Sequence, residues 1–396
     1  MLKWVQGSVS ALTGVMEPIY GKDAFHSIAE TVFHKNPYSP LTRKDLEWIA
    51  PWSSNVETQT FYFTAPSGHY GFVQVIHSNP IGLHFTAQFT CRVVHDDKPE
   101  ESVWTSTNLE DIEARGTEFN AHNMYITLNE DATEYTISSS VNEDSIVELT
   151  ATRTAPGFKI GKTGTSLYGD DIENPWGSMR HVFWPRAEIS GTIKVKGKDI
   201  VLERAHSLYV MAMQGMKPHH AASRWNFVNF QGPTSSLVVM EFTTPPSYGS
   251  CTVGVAAVTR DDKLIYTSTD VKVDHIDAVE DEVGWPAPKK IAFTTKGPGV
   301  DETDEAVAAA EEAPEADKSV LYKSKLTGDL EGHLVERVDV MAELPMFVKR
   351  VASGLSGTKP YIYQFSDRGM KFLLTNPDGS TFEEVGHGFC ETTFIS

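Results

Sequence analysis

The chain has 396 residues, with 34 Lys and Arg against 53 Asp and Glu, for a formal charge of −19. Its 40% hydrophobic and 22% charged content suits a folded globular protein, and its length suits two compact units plus tails. A surface this acidic repels phosphate over most of its area, which excludes general nucleic-acid binding and broad docking on anionic lipid, so any membrane contact must be local and mainly apolar.

In the first segment Leu2, Val5, Val9, Leu12 and Met16 recur at spacings of three and four, with Met1, Trp4, Ala11 and Val15 alongside. Lys3, Gln6, Ser10, Thr13 and Glu17 take the opposite side, and Pro18 ends the pattern. The spacing predicts an amphipathic helix over 1–18. At about 1.5 Å per residue it measures about 24 Å, too short for a hydrocarbon core of about 30 Å but suited to lie in its interface. Met1, Leu2, Trp4, Val5, Val9, Leu12, Val15 and Met16 are the expected membrane-binding residues; packing on the protein itself or in a dimer is the alternative. Gln6, Gly7, Ser8 and Ser10 interrupt any signal-peptide core, so the segment is expected to be retained. No apolar window of about 20 residues occurs to span a bilayer. Cys91, Cys251 and Cys390 are far apart in sequence and outside any C-x-x-C arrangement, which fits a reducing compartment.

From Asn55 the character changes to short runs rich in β-branched and aromatic residues: VETQTFYF, YGFVQVIH, LHFTAQFTCRVV, EFNAHNMYITL, TEYTISSS, SIVELTAT and AEISGTIKV. The pattern resumes after 205 with SLYVMAMQ, RWNFVNFQ, SLVVMEFTT, SCTVGVAAVT, KLIYTS, DVKVDHI, KKIAFTT, SVLYKSKL and LVERVDV. These predict an all-β protein of two antiparallel barrels, 19–216 and 217–396, with helix well below the usual third. Residues 300–318, VDETDEAVAAAEEAPEADK, carry eight carboxylates and few large apolar side chains, and read as a disordered surface insertion. Leu344, Phe347, Val348 and Val351 predict a short helix over 343–355.

Two stretches concentrate rings and cations, NPWGSMRHVFWPR at 174–186 and QGMKPHHAASRWNF at 214–227. Trp176, Arg180, His181, Trp184, His219, His220 and Trp225 are the candidate ligand-binding residues, expected to meet near the domain junction as one polar mouth. The plainer alternative is that these side chains close a barrel end and knit the domains together. Neighbouring residues on a strand point to opposite faces, so His219 and His220 do not suit one metal, and His77, His84 and His181 match no metal spacing. No nucleophile elbow, dinucleotide fingerprint or phosphate loop occurs, and no catalytic residue or cofactor is assigned. An acid such as Glu57, Glu241 or Asp339 inside a barrel would still suffice for proton chemistry on a hydrophobic substrate.

The blocks MLKWVQGSVSALTGVMEPIYGKD, NVETQTFYF, GFVQVIHSN, NPWGSMRHVFWPR, QGMKPHHAASRWNF, MEFTTP, VGW and ERVDVMAELPMFVKRVASGLSGTKPYIYQF resemble the fungal survival factor 1 family. The acidic insertion and the stretch from Asp367 to Gly386 lie outside them, and the chain is short between Lys196 and Ser207, where the family can carry a longer acidic loop. The resemblance implies two lipocalin-like domains, ceramide binding, non-vesicular transfer of that lipid from endoplasmic reticulum to Golgi, and a role in survival under oxidative and cold stress. It also implies a cytoplasmic protein, peripheral on both membranes through an N-terminal helix whose Met1 is acetylated, with the nucleus as a further candidate location. The oligomeric state stays open. Related two-domain lipocalin-like proteins include carotenoid hydratases and Diels–Alder cyclases, so an enzyme on a hydrophobic substrate is the alternative, and a scaffold acting through the acidic loop is a third reading.

Overall fold

The strand Asn55–Thr64 shows how alternation builds this molecule. Phe61 and Phe63 point into one apolar core while Tyr62, between them, enters another, so both faces of the strand are buried. The computed structural model describes residues 19–51, 53–79, 85–216, 218–312, 320–340 and 360–395. The expected helices over 1–18 and 343–355, with the membrane-binding set Met1 to Met16, lie outside these residues, as do His84 and the His219 side chain.

Strands account for 61% of the structure and helices for 8%, so the protein is all-β. Two antiparallel sheets form a half-barrel and a nearly closed barrel. In the first sheet the spatial order is Val103–Asn108, Thr86–Val94, Tyr70–Asn79, Asn55–Thr64, Lys198–Gln214, Gly177–Val195, Ser145–Arg153, Glu134–Ser139 and Met124–Leu128, then two short strands. Its far edge curls back: Thr105 and Ser145 join hydroxyls at 2.6 Å, and Asn142 Nδ2 donates to Thr107 Oγ1. The second sheet runs from Lys263–Ser268 through Thr252–Arg260, Ser235–Thr243, Arg224–Gln231, Thr381–Phe394, Tyr361–Thr375, Leu321–Asp329 and Lys290–Pro298 to Asp270–Ile276. A bridge between Tyr266 and Gly299 brings its ends together.

Several segments depart from the sequence expectation. EFNAHNMYITL is a hairpin rather than one strand, turned at Asn123 with φ 59°, a conformation asparagine tolerates. NPWGSMRHVFWPR, outside the predicted strands, supplies from Gly177 onward the first half of Gly177–Val195, whose register slips between Trp184 and Ala187, where Pro185 has no N–H to give. The hairpin of Tyr361–Thr375 and Thr381–Phe394 escaped the strand reading. The supposedly disordered insertion contains the helix Asp304–Glu312, whose Val307 and Ala310 are buried one turn apart. Asn36 docks it, donating its backbone N–H to Asp304 Oδ1 and its amide to the carbonyls of Gly299 and Glu302, all at 2.9 Å. Tertiary docking thus supplies what the small side chains cannot.

Between the sheets lies a third core, with Tyr62, Phe72, Leu208 and Val210 against Phe227, Val238 and Phe389. His387 bridges this seam, its ring nitrogens 2.8 Å from Thr64 Oγ1 and from Ser366 Oγ. Burial, then the Arg368 cation, pushes its pKa down to about 3. A base with a depressed folded pKa contributes stability that is intact above its unfolded value near 6.5 and is lost as pH falls toward 3. A His387→Gln variant is accordingly expected to lose less stability than the parent between pH 7 and pH 4, as read by urea unfolding at each pH.

Candidate functional site

Along Asn55–Thr64 the inward positions change from polar to apolar: Asn55, Glu57 and Gln59 come first, then Phe61 and Phe63. The polar end is one mouth of the first sheet. Across it Glu57 pairs with His77 on one side and Met213 on the other, and Met213 faces Arg180. The segment 43–50 folds over this mouth. Ile49 and Ala50 donate their backbone N–H groups to the two carboxylate oxygens of Glu57, at 2.8 Å each, and Trp48 N–H reaches Gly116 O. Burial raises the Glu57 carboxyl above the ordinary range, against those two amides and the Arg180 cation. Arg180 donates to Asp45 O at 2.6 Å. Asp45 also takes Lys159; burial works against its charge, but Lys159 and Thr42 hold its pKa below the usual value. A ring of compensated charges thus pins the covering segment.

Deeper inside, Phe61, Tyr135, Trp184 and Tyr209 pack with ring centroids 4.9 to 5.2 Å apart, and the two tyrosine hydroxyls meet at 3.1 Å. Between this aromatic layer and the mouth sits Gln59, fully buried, with neither amide atom hydrogen-bonded. Trp48 Nε1, His77 Nδ1, Ser139 Oγ, Ser207 Oγ and Trp184 Nε1 are buried and unpaired as well. Buried polar groups are nearly always satisfied, and each orphan costs about 1–3 kcal/mol. Donors and acceptors left open along an apolar, aromatic interior fit the amide and hydroxyls of an amphiphile whose chains take the apolar remainder.

Of the seven residues expected to form one mouth, the six whose side chains are described do not converge. The two blocks do touch at the junction, through Gly215 N–H to Ser178 O at 2.8 Å. Strand alternation then separates the side chains. Arg180 and Trp184 face the interior, while His181 points the other way with Phe183. Trp176 donates to Tyr248 Oη at 2.9 Å in the seam, and Trp225 packs there too, half-buried. His220 is half-buried in the one-turn helix Pro218–Ala221. Arg186 spans the junction, donating to Gln231 Oε1, Gly232 O, Ser235 O and Pro233 O, which is the knitting role weighed as the alternative. His77 and His181 lie on opposite faces of the first sheet. Of the orphaned groups the sequence reading named Trp184 and His77 but missed Gln59 and Trp48; the parity linking Gln59 to Phe61 and Phe63 was the available signal.

The Svf1 family model matches residues 2–396, so the likeness runs through the Asp367 to Gly386 stretch as well. Similar curated proteins include one named ceramide-binding protein SVF1 from Yarrowia lipolytica, 50% identical over the full length of both chains, and its Debaryomyces hansenii namesake, 49% identical over the full length of both. Among solved structures, CghA superposes with a TM-score of 0.57 at 12% identity, covering 94% of this chain and 98% of that one. Kievitone hydratase from Nectria haematococca gives 0.52 at 14% identity, covering 91% and 98%. At such identities these two share the fold alone.

Proposed function

Because the chain belongs to the Svf1 family, we propose that it binds a ceramide-class lipid and moves it between membranes without altering it. The observation that carries this reading is the set of orphaned donors and acceptors inside the first sheet, next to the curated relatives' name. A ceramide offers one amide and two hydroxyls. Its long chains, at about 0.8 kcal/mol per buried methylene, hold it out of water so firmly that movement between membranes needs a carrier. Native mass spectrometry of protein isolated from its own cells tests the proposal: a co-purifying sphingolipid mass supports it, and a protein that stays lipid-free when offered ceramide in solution sinks it.

The proposal extends to delivery from endoplasmic reticulum to Golgi, to survival under oxidative stress and to a cytoplasmic, membrane-peripheral location. What supports the membrane contact is the apolar stripe of residues 1–16. A Leu12→Asp variant is expected to lose liposome flotation while keeping its melting temperature, since a charge at such depth costs up to about 3 kcal/mol on insertion scales. Retained flotation would refute the anchor, and a large drop in melting temperature would place the helix in a folded core. The enzymatic alternative rests on Glu57, a buried acid with a raised pKa. Both of its oxygens already hold backbone amides, which favours a structural role. Recovery of intact ceramide after incubation supports the carrier, and a changed mass supports the enzyme.

A further inference from the structure

A groove of about 330 Å³ opens where the strand Ser145–Arg153 ends, lined by Tyr38, Pro40, Leu41, Arg153, Thr154 and Pro156 among others. It adjoins the interior core through Trp184 and Leu41: Arg153 continues the parity of Leu149 and Ala151, its guanidinium lies 5.7 Å from the Trp184 ring centroid, and a Cβ on Gly157 would come within 2.8 Å of Trp184 Cδ1.

Arg153 is unusual in this molecule. The other half-buried or buried arginines among the described residues have an acceptor or a neighbouring carboxylate: Arg180 has Asp45, Arg186 the 231–235 turn and Arg337 Asp281, while Arg92 lies 3.8 Å from Glu336 and Arg260 3.5 Å from Asp261. Arg153 makes no side-chain hydrogen bond or ion pair among those residues, despite 53 acidic residues in the chain. Its interactions are the face of Trp184 and the electrostatic influence of Tyr38, and burial disfavours its charge. A guanidinium removed from water needs acceptors, and an aromatic face supplies only part of the compensation. Next to it Thr154 Oγ1 is buried with no partner. Asp301 acts on Tyr38, and among the described residues no carboxylate lines the groove itself.

We propose that this groove binds a phosphate ester, with the Arg153 fork and the Thr154 hydroxyl on the phosphate oxygens and the Pro40, Leu41 and Pro156 rim against an adjoining apolar part of the ligand. Guanidinium matches phosphate geometry through two parallel hydrogen bonds, and the walls supply donors where an oxyanion would sit. The volume, at the lower end of ligand pockets, suits a headgroup and excludes a whole two-chain lipid.

Calorimetric titration of the full chain with inorganic phosphate, glycerol 3-phosphate and dioctanoyl phosphatidic acid below its micelle concentration tests this. Binding of phosphatidic acid alone assigns a lipid headgroup, and binding of either soluble phosphate assigns a soluble ester. In both cases Arg153→Gln is expected to weaken binding by at least about tenfold. Thr154→Val, which leaves the Trp184 contact untouched, weakens it by a smaller factor and guards against a folding defect in the arginine variant. No heat with any of the three ligands, or affinities that neither substitution changes, would overturn the proposal.

Discussion

A Gln59→Leu variant is expected to be more stable than the parent when empty and markedly poorer at holding ceramide. The side chain is fully buried and neither amide atom has a partner, so the empty protein carries an unmet desolvation cost of about 1–3 kcal/mol. Leucine removes both polar atoms at similar volume, and a gain of about 1–2 kcal/mol in urea unfolding should follow. The same change removes the partner of the ligand's polar end. Loss of one or two buried hydrogen bonds should weaken ceramide binding about 10- to 100-fold. Opposite signs in the two measurements distinguish a binding residue from a merely structural one. A less stable variant, or one that keeps its ceramide affinity, would place the ligand's amide elsewhere.

Replacing Arg186 by alanine should produce the largest loss of stability. The guanidinium reaches from the first sheet to Gln231 Oε1 at 2.9 Å and to the carbonyls of Gly232 at 2.8 Å, Pro233 at 2.9 Å and Ser235 at 3.0 Å. None of these acceptors is charged, and Asp262, Glu384 and Glu188 act on it only from a distance. Alanine leaves several buried acceptors open at once, a loss of about 3–5 kcal/mol, which in a fold this size lowers melting by about 4–6 °C. Lysine should recover little, because a single ammonium cannot reproduce the planar fork. Scanning calorimetry of the two variants beside the parent checks both statements. A shift below about 2 °C for alanine would mean that water replaces the arginine without cost.

Strand existence was legible wherever alternation was strong, as in SIVELTAT, whose partners at Gly191 to Val195 were read as a strand too. Which face looks inward was not. In VETQTFYF the parity of Glu57, Gln59, Phe61 and Phe63 and the parity of Thr58, Thr60 and Tyr62 are each part polar and part aromatic, because one side enters the interior and the other the seam. The Trp176 to Arg186 block is dense in rings and cations, but with no strand assigned to it the alternation that scatters Arg180, His181 and Trp184 over two faces went unused. Pro185, a residue that ordinarily argues against a central strand, is accommodated by a bulge. The helix at Asp304–Glu312 was hidden because its support comes from Asn36, some 270 positions away in sequence.

The seam through Tyr62, Phe72, Phe227 and Phe389 has a consequence for inheritance. Each sheet presents to its partner a face too large and apolar to leave in water, so neither half is a module that recombination could cut out and reuse alone. Substitutions on one side must be answered on the other, and the two halves are expected to have been passed down as a matched pair.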